Sequence, residues 1–164
     1  MSRTGLPGGV NSKRSRAPGR SLILRLISDS TAVPEIAASE RLARQWFALV
    51  QQGAFEQLVE LVHEDIRLVS KVRAGTVVEG RAAVAQFIQA TVAASLYEAV
   101  PDVYTALDDD RVVVEGRMRW IDDERVIRDD PVVWAMEFRN GLLLKFLPAR
   151  TTIEAETLLL TSPR

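Results

Sequence analysis

Cysteine is absent from this 164-residue chain. That excludes disulfides, thiolate nucleophiles and cysteine-ligated zinc or iron–sulfur sites, and it leaves the redox compartment open. Histidine occurs once, at His63, so a metal site would have to lean on carboxylates, and none stand at ligand spacing around it. Long apolar runs are missing too. The best, SLILRLI, is interrupted by Arg25 and falls well short of the roughly 18 to 20 residues of a membrane span. Although basic residues precede it, the run is too brief and too charged for the apolar core of a secretory signal. A cytoplasmic protein without membrane contact is the expectation. A Ser-His-Asp signature, a glycine-rich phosphate loop and a dinucleotide fingerprint are also lacking, and no cofactor is expected.

What is present is the balance of one globular domain, 47% hydrophobic and 26% charged, with a tail. Charge is split unevenly. Residues 1–33 carry six basic side chains against Asp29 alone, a net of +5, whereas the rest carries 15 basic and 21 acidic side chains, a net of −6. A basic arm can bind nucleic acid, but this one is rich in Gly, Pro and Ser and lacks aromatics on which bases stack. Residues 1–33 therefore read as a disordered leader, 34–160 as the domain and 161–164 as a tail, with no nucleic-acid partner expected.

Along the domain, Pro34 suits a first helical turn, with Ser30 and Thr31 as caps, and Ile36, Ala43, Trp46, Phe47 and Val50 follow at helical spacing. Gly53 ends that helix, and Phe55, Leu58, Val59, Leu61 and Val62 predict a second, with His63 a solvated residue at its end. From Ile66 the period becomes two, Ile66, Leu68, Ser70 and Val72 on one face and Arg67, Val69, Lys71 and Arg73 on the other. Val84, Phe87, Ile88, Thr91, Val92 and Ser95 trace a third helix. Strands follow near Ala99–Leu107, Arg111–Ile121, Val126–Arg139 and Leu142–Pro148. Asp108-Asp109-Asp110, Asp122-Asp123-Glu124 and Asn140-Gly141 separate them as hairpin turns. Pro131 predicts an edge or bulge at the start of its strand. Glu154–Leu160 is either a short helix or a frayed tail.

Alternation sorts the last strands into two faces. Val112, Val114, Gly116, Met118 and Trp120 with Val132, Trp134, Met136 and Phe138 form a wholly apolar face. Glu115, Arg117, Arg119 and Ile121 with Val133, Ala135, Glu137 and Arg139, and Lys145 beyond, form an amphipathic one. The helices must cover the apolar face. Its large side chains read either as a close-packed core or as the lining of an apolar pocket.

The segments WFALVQQGAFEQLVELVHEDI, GRAAVAQF and EFRNGLLLKF followed by ARTTIEA resemble the SnoaL-like branch of the nuclear transport factor 2-like superfamily. That group includes ketosteroid isomerases, limonene epoxide hydrolases, scytalone dehydratases and polyketide cyclases. The resemblance covers roughly Pro34 to Leu160. It implies an α+β, cystatin-like cone, with three N-terminal helices packed on a curved, mostly antiparallel sheet and a pocket between the concave face and the first helix. It also implies a homodimer through the outer face of the sheet. The isomerases' tyrosine, aspartate base and second acid correspond to Trp46, Ser70 and Trp134, none of which can abstract a proton beside a carbonyl. The epoxide hydrolases' Arg-x-Asp and second Asp correspond to Arg117-Met118-Arg119 and Leu147, so the carboxylates that would activate water are missing.

The expected pocket lining is Trp46, Ser70, Phe87, Trp120, Trp134 and Met136, around a small, largely apolar molecule. A catalytic residue is not assigned and no metal ligand is expected. The acidic clusters match no calcium loop, and turn chemistry explains them. Asp102, Tyr97 and Tyr104 are possible pocket contributors whose register is open. Three readings remain: a binding cone; an isomerase, cyclase or hydrolase using a group such as Asp102 or Tyr104, favoured by a buried carboxylate of raised pKa; and a protein-interaction module with a filled cone and a broad apolar patch.

Overall fold

A computed structural model describes residues 35–71, 75–92, 97–121 and 124–161. Of the two compact units, Met1–Glu35 and Ile36–Arg164, the second holds every described helix and strand. The expected leader lies outside the described residues, as do Val72, Arg73, Ser95, Asp122 and Asp123. Element order is α1 (Ala38–Gln52), α2 (Phe55–Glu60), β1 (Val62–Val69), β2 (Val77–Glu79), α3 (Arg81–Val92), β3 (Tyr97–Ala106), β4 (Arg111–Ile121), β5 (Ile127–Arg139), β6 (Leu142–Ala149) and α4 (Thr152–Leu160). The strands form one sheet in the order β2-β1-β6-β5-β4-β3. Among the described strands only β1 and β6 run parallel; every other pair is antiparallel. This is the expected α+β architecture, with a fourth helix at its end.

Helix α1 begins at Ala38, four residues after Pro34, and Ala37 provides no side-chain cap. The β3–β4 turn replaces the missing cap. Asp109 Oδ1 accepts from Ala38 N at 3.3 Å, and the buried Ser39 hydroxyl donates to Asp108 O at 2.5 Å. Asp108 in turn accepts through Oδ1 from Asp110 N and Arg111 N, and its Oδ2 takes Arg111 Nε at 2.9 Å. The acidic run is turn chemistry, as expected, and it also tethers the first helix to the sheet. Gly53 closes α1 in the left-handed region, φ 67°, where a side chain would be strained.

Two boundaries differ from expectation. Helix α2 stops at Glu60, and β1 starts at Val62, four residues before the alternation becomes legible. The cause is an irregular register: Val62 pairs with Leu143 but Arg67 with Lys145, and the intervening His63, Glu64 and Asp65 are all polar, so period two is invisible there. His63 therefore lies on a strand rather than at a helix end. Its side chain is 17% exposed, and Nδ1 accepts from Asp65 N at 3.1 Å. Strand β2 went unread because three residues between Gly75 and Gly80 carry no periodicity.

The four later strands fall within two residues of their expected limits. Asn140 (φ 53°) and Gly141 (φ 77°) make the tight β5–β6 turn with two consecutive left-handed residues. Pro131 pairs with Arg117 on β4, while β6 joins β5 only from Val133 onward. Pro131 is thus on a free edge of β5, where its missing N–H costs nothing.

The apolar face is the core. Val112, Val114, Met118, Val132, Trp134, Met136 and Phe138 are buried with Trp46, Phe47, Val84 and Ile88 from the helices. The amphipathic face is not left open along its length. Helix α4 forms, capped by Thr151 Oγ1 accepting from Glu154 N at 3.2 Å, and seats Ala155 and Leu159 on Val113, Val133, Ala135, Leu147 and Ala149. Beside it, Glu137 and Lys145 pair at 2.6 Å across β5 and β6, and Asp129 sits between Arg117 and Arg119 at 2.9 and 3.2 Å. Those two guanidinium groups hold the Asp129 carboxyl below its ordinary value.

Gly116 is the most closely approached of the described glycines. A Cβ there would lie 2.3 Å from Val100 O, 2.9 Å from Pro101 Cα and 3.0 Å from the Trp134 ring. Its neighbour β3 slips register between Pro101 and Val103, and the missing side chain lets that irregular segment lie close on β4. Gly116→Ala is expected to destabilise the fold by about 1–3 kcal/mol through forced displacement of β3, read as a lower urea midpoint; an unchanged midpoint would show that the approach is not constraining.

The Asp108–Arg111 pair gives a pH signature. The hydrogen bond from Arg111 holds the Asp108 carboxyl below its ordinary value of 3.8. A carboxyl depressed on folding stabilises above its unfolded pKa, and that contribution is lost as pH falls through the folded value. Asp108→Asn should lower the urea midpoint at neutral pH, and its gap to wild type should shrink as pH drops below 3.8. A gap that stays constant with pH would contradict the pairing.

Candidate functional site

The inner face is closed by aromatic contacts before any space is left. Phe47 of α1 stacks obliquely on Trp134 of β5, centroids 4.9 Å apart, and Trp46 meets Phe146 of β6 at 6.0 Å. Phe146 also approaches Phe47 at 6.2 Å and Trp134 at 6.5 Å. Tilted pairs at these separations are favourable beyond their burial. They hold α1 over the concave sheet.

Beyond this cluster a cavity remains, walled by Trp46, Phe47, Trp134 and Phe146, by Leu68 and Ser70 of the β1 segment, by Phe87, Ile88 and Thr91 of α3, and by Ala99 and Met118 of β3 and β4. About 50 Å³ is open to the centre of a water-sized molecule, within about 650 Å³ of unoccupied space counted out to the mouth. An inner volume of that size has room for a few waters.

Of the six residues expected here, the structure brings Trp46, Ser70, Phe87 and Trp134 to the wall. Met136 is on the same face, two residues past Trp134, but fully buried in the solid part of the core. Trp120 is half-buried at the periphery of the core, with the Lys71 ammonium 6.0 Å from its ring centre. Phe146 and Lys71 were missed for definable reasons. In β6, Glu137 pairs with Lys145 but Phe138 with Leu143, so Leu144 is an extra residue. That bulge puts Leu143 and Phe146, three apart, in the same core. Strict alternation would separate them. Lys71 follows the end of β1 at Val69, where strand parity no longer governs its direction.

The wall is chemically quiet. Among the described residues no carboxylate and no imidazole lines it. Its polar groups are the Ser70 and Thr91 hydroxyls, the latter donating to Phe87 O, and the Lys71 ammonium, which donates to Pro131 O at 2.6 Å. No buried side-chain nitrogen or oxygen among the described residues lacks a partner. Asp102 is exposed at the β3 irregularity, outside the cavity. Tyr104 stands against Phe47, ring centroids 6.3 Å apart, with the Arg44 guanidinium 4.1 Å over its ring. Burial raises the pKa of its hydroxyl, the Arg44 charge opposes that, and Glu40 adds to it. The Tyr97 side chain lies outside the described residues. Arg117 and Arg119 pair with Asp129 on the outer face, and only Met118 of that triplet reaches the cavity.

A second cleft of about 390 Å³ lies between the Asp108–Arg111 turn, Glu137–Arg139 and the end of α4. It is larger, but three of its charged groups are committed within the fold: Arg111 to Asp108 and to Leu159 O, and Glu137 to Lys145. No cluster of three metal-ligating side chains occurs among the described residues, and no helix among them is long and apolar enough to cross a membrane.

The SnoaL-like domain model matches residues 43–146, which takes in every wall residue above. No curated protein sequence matches the chain significantly. Among solved structures, RV0760c from Mycobacterium tuberculosis, in complex with estradiol-17beta-hemisuccinate, superposes with a TM-score of 0.61 at 14% identity over 73% of this chain and 98% of that one. TerC, co-crystallised with polyporic acid, gives 0.57 at 18% identity over 76% and 100%. SalBIII, an epoxide hydrolase/cyclase-like enzyme of pyran ring formation in the polyether salinomycin, gives 0.58 at 18% over 71% and 92%. At these identities the likeness is one of fold.

Proposed function

Because the chain belongs to the SnoaL-like domain family, we propose that its cone binds a small, largely apolar molecule against Trp46, Ser70, Phe87 and Trp134. The observation that carries this reading is the apolar cavity on the concave face, whose described wall offers hydrogen-bond donors but neither carboxylate nor imidazole. An aromatic wall with a few convergent polar groups is the usual make-up of a small-molecule site. Abstraction of a proton from carbon needs a base poised near the working pH, and the exposed Asp102 and outward-paired Asp129 are not placed to be one. The wall therefore suits binding of an apolar molecule better than proton abstraction. The ligand complexes of RV0760c and TerC support the same use of the fold. Trp120 would flank an occupant at the edge, and Met136 would back the wall without touching it. The part of the outer sheet face that α4 leaves uncovered, bearing Arg117, Arg119 and Ile121 on β4 and Ile127, 74% exposed, on β5, is where a second copy of the chain would pair.

The test is a cavity-filling variant. Ala99 is buried at the cavity wall, and Ala99→Leu adds carbon into the free volume. With 4-phenyl-1-butanol as a neutral probe, wild type should quench tryptophan fluorescence saturably. The variant should lose that response while its urea midpoint stays close to wild type. Native mass spectrometry of the same samples reads oligomeric state and any retained small molecule. Absence of saturable binding to wild type, or equal binding to the filled variant, would overturn the reading.

A further inference from the structure

The cavity wall carries one ionic group among the described residues, Lys71, and its placement is specific. The Lys71 stem follows Ser70 onto the lining, and the ammonium reaches past the end of β6 to donate to Pro131 O at 2.6 Å. That carbonyl belongs to the stretch of β5 where β6 is no longer paired with it. The Trp120 ring stands 6.0 Å away, at the outer limit of cation–π attraction. An ammonium has three donors, and the carbonyl takes one. No carboxylate among the described residues pairs with it, whereas Arg44, Arg111, Arg117, Arg119, Lys145 and Arg150 each sit on an acidic partner. A charge beside an apolar wall, oriented by a neutral acceptor and without a counter-ion among the described residues, is placed to receive one from a ligand.

We infer that the occupant is an amphipathic anion: an apolar body against Trp46, Phe87 and Trp134, and a carboxylate or comparable acidic group at the mouth, held by Lys71. This rests on the binding reading above and names its ligand class. Lys71 is the specificity-determining residue, selecting an acidic end over a neutral one while the aromatic wall supplies most of the contact area.

Isothermal titration of the full chain with 4-phenylbutyrate and with 4-phenyl-1-butanol separates the two parts, since these probes share their apolar body and differ at the head group. Wild type should bind the carboxylate about tenfold more tightly, as a charge-assisted hydrogen bond provides over a neutral one. Lys71→Gln should lose that tenfold for the carboxylate and leave the alcohol within about twofold, and Lys71→Arg should recover most of it. Urea unfolding of both variants checks that the fold is retained. Should the alcohol bind while the carboxylate shows no preference in wild type, or should Lys71→Gln weaken both probes equally, the assignment to Lys71 fails and the cavity stands. If neither probe binds, the cavity reading fails and this inference with it.

Discussion

The contact on which the rest depends is the seating of α1 on the concave sheet through Phe47 against Trp134, 4.9 Å between ring centres. Trp134 is 2% exposed and at the middle of the inner face. Its position fixes how closely the helix approaches, how far Trp46 and Phe146 meet, and hence how much space stays open beyond them. Helix α1 has no cap of its own, and the Asp108–Asp109 turn holds its start. One end of the helix is thus pinned by polar contacts to the sheet's hairpin and the middle by aromatic contacts to its face. The cavity is what those two attachments leave unfilled.

The curvature needed to make such a space is produced where strands break register. Strand β3 slips at Pro101–Val103 over Gly116, β6 carries an extra residue at Leu144, and β1 is irregular between Val62 and Arg67. Bulges bend a strand and increase its twist. Here they occur on three strands of one sheet, and the inner face is concave toward α1 and α3.

Much of this was legible in the chain. The four long strands, the apolar face running through Val112 to Trp120 and Val132 to Phe138, the helix break at Gly53 and the Asn140-Gly141 turn each follow from a local rule of period or turn geometry. What failed were places where the local rule is interrupted. The strand hidden behind His63-Glu64-Asp65, the three-residue β2 and the inward Phe146 all lie at or beside a bulge or between turns, where period two does not hold. The outer face illustrates a different limit. Its Val113, Val133 and Ala135 read as one side of an amphipathic sheet, and nothing local says that Ala155 and Leu159 of α4 will cover them. Ser70 and Trp134 border the cavity on the face that alternation gives them, and Trp46 and Phe87 reach it from the helices that cover that face. Met136 does not, because alternation orders residues across a sheet and says nothing about where along the face a cavity ends. Lys71 could have been found only from the place where the strand stops.

The central claim is that the space between α1 and the concave face is a site for an apolar molecule. The chain has three tryptophans, and the structure places two, Trp46 and Trp134, on the wall and the third, Trp120, outside it. Isotope-edited resonances of the three indole N–H groups, assigned by single Trp→Phe variants and followed during titration with 4-phenyl-1-butanol, therefore read the location directly. The account predicts saturable shifts of Trp46 and Trp134 with a smaller response at Trp120. Shifts confined to Trp120, or none at all, would contradict it.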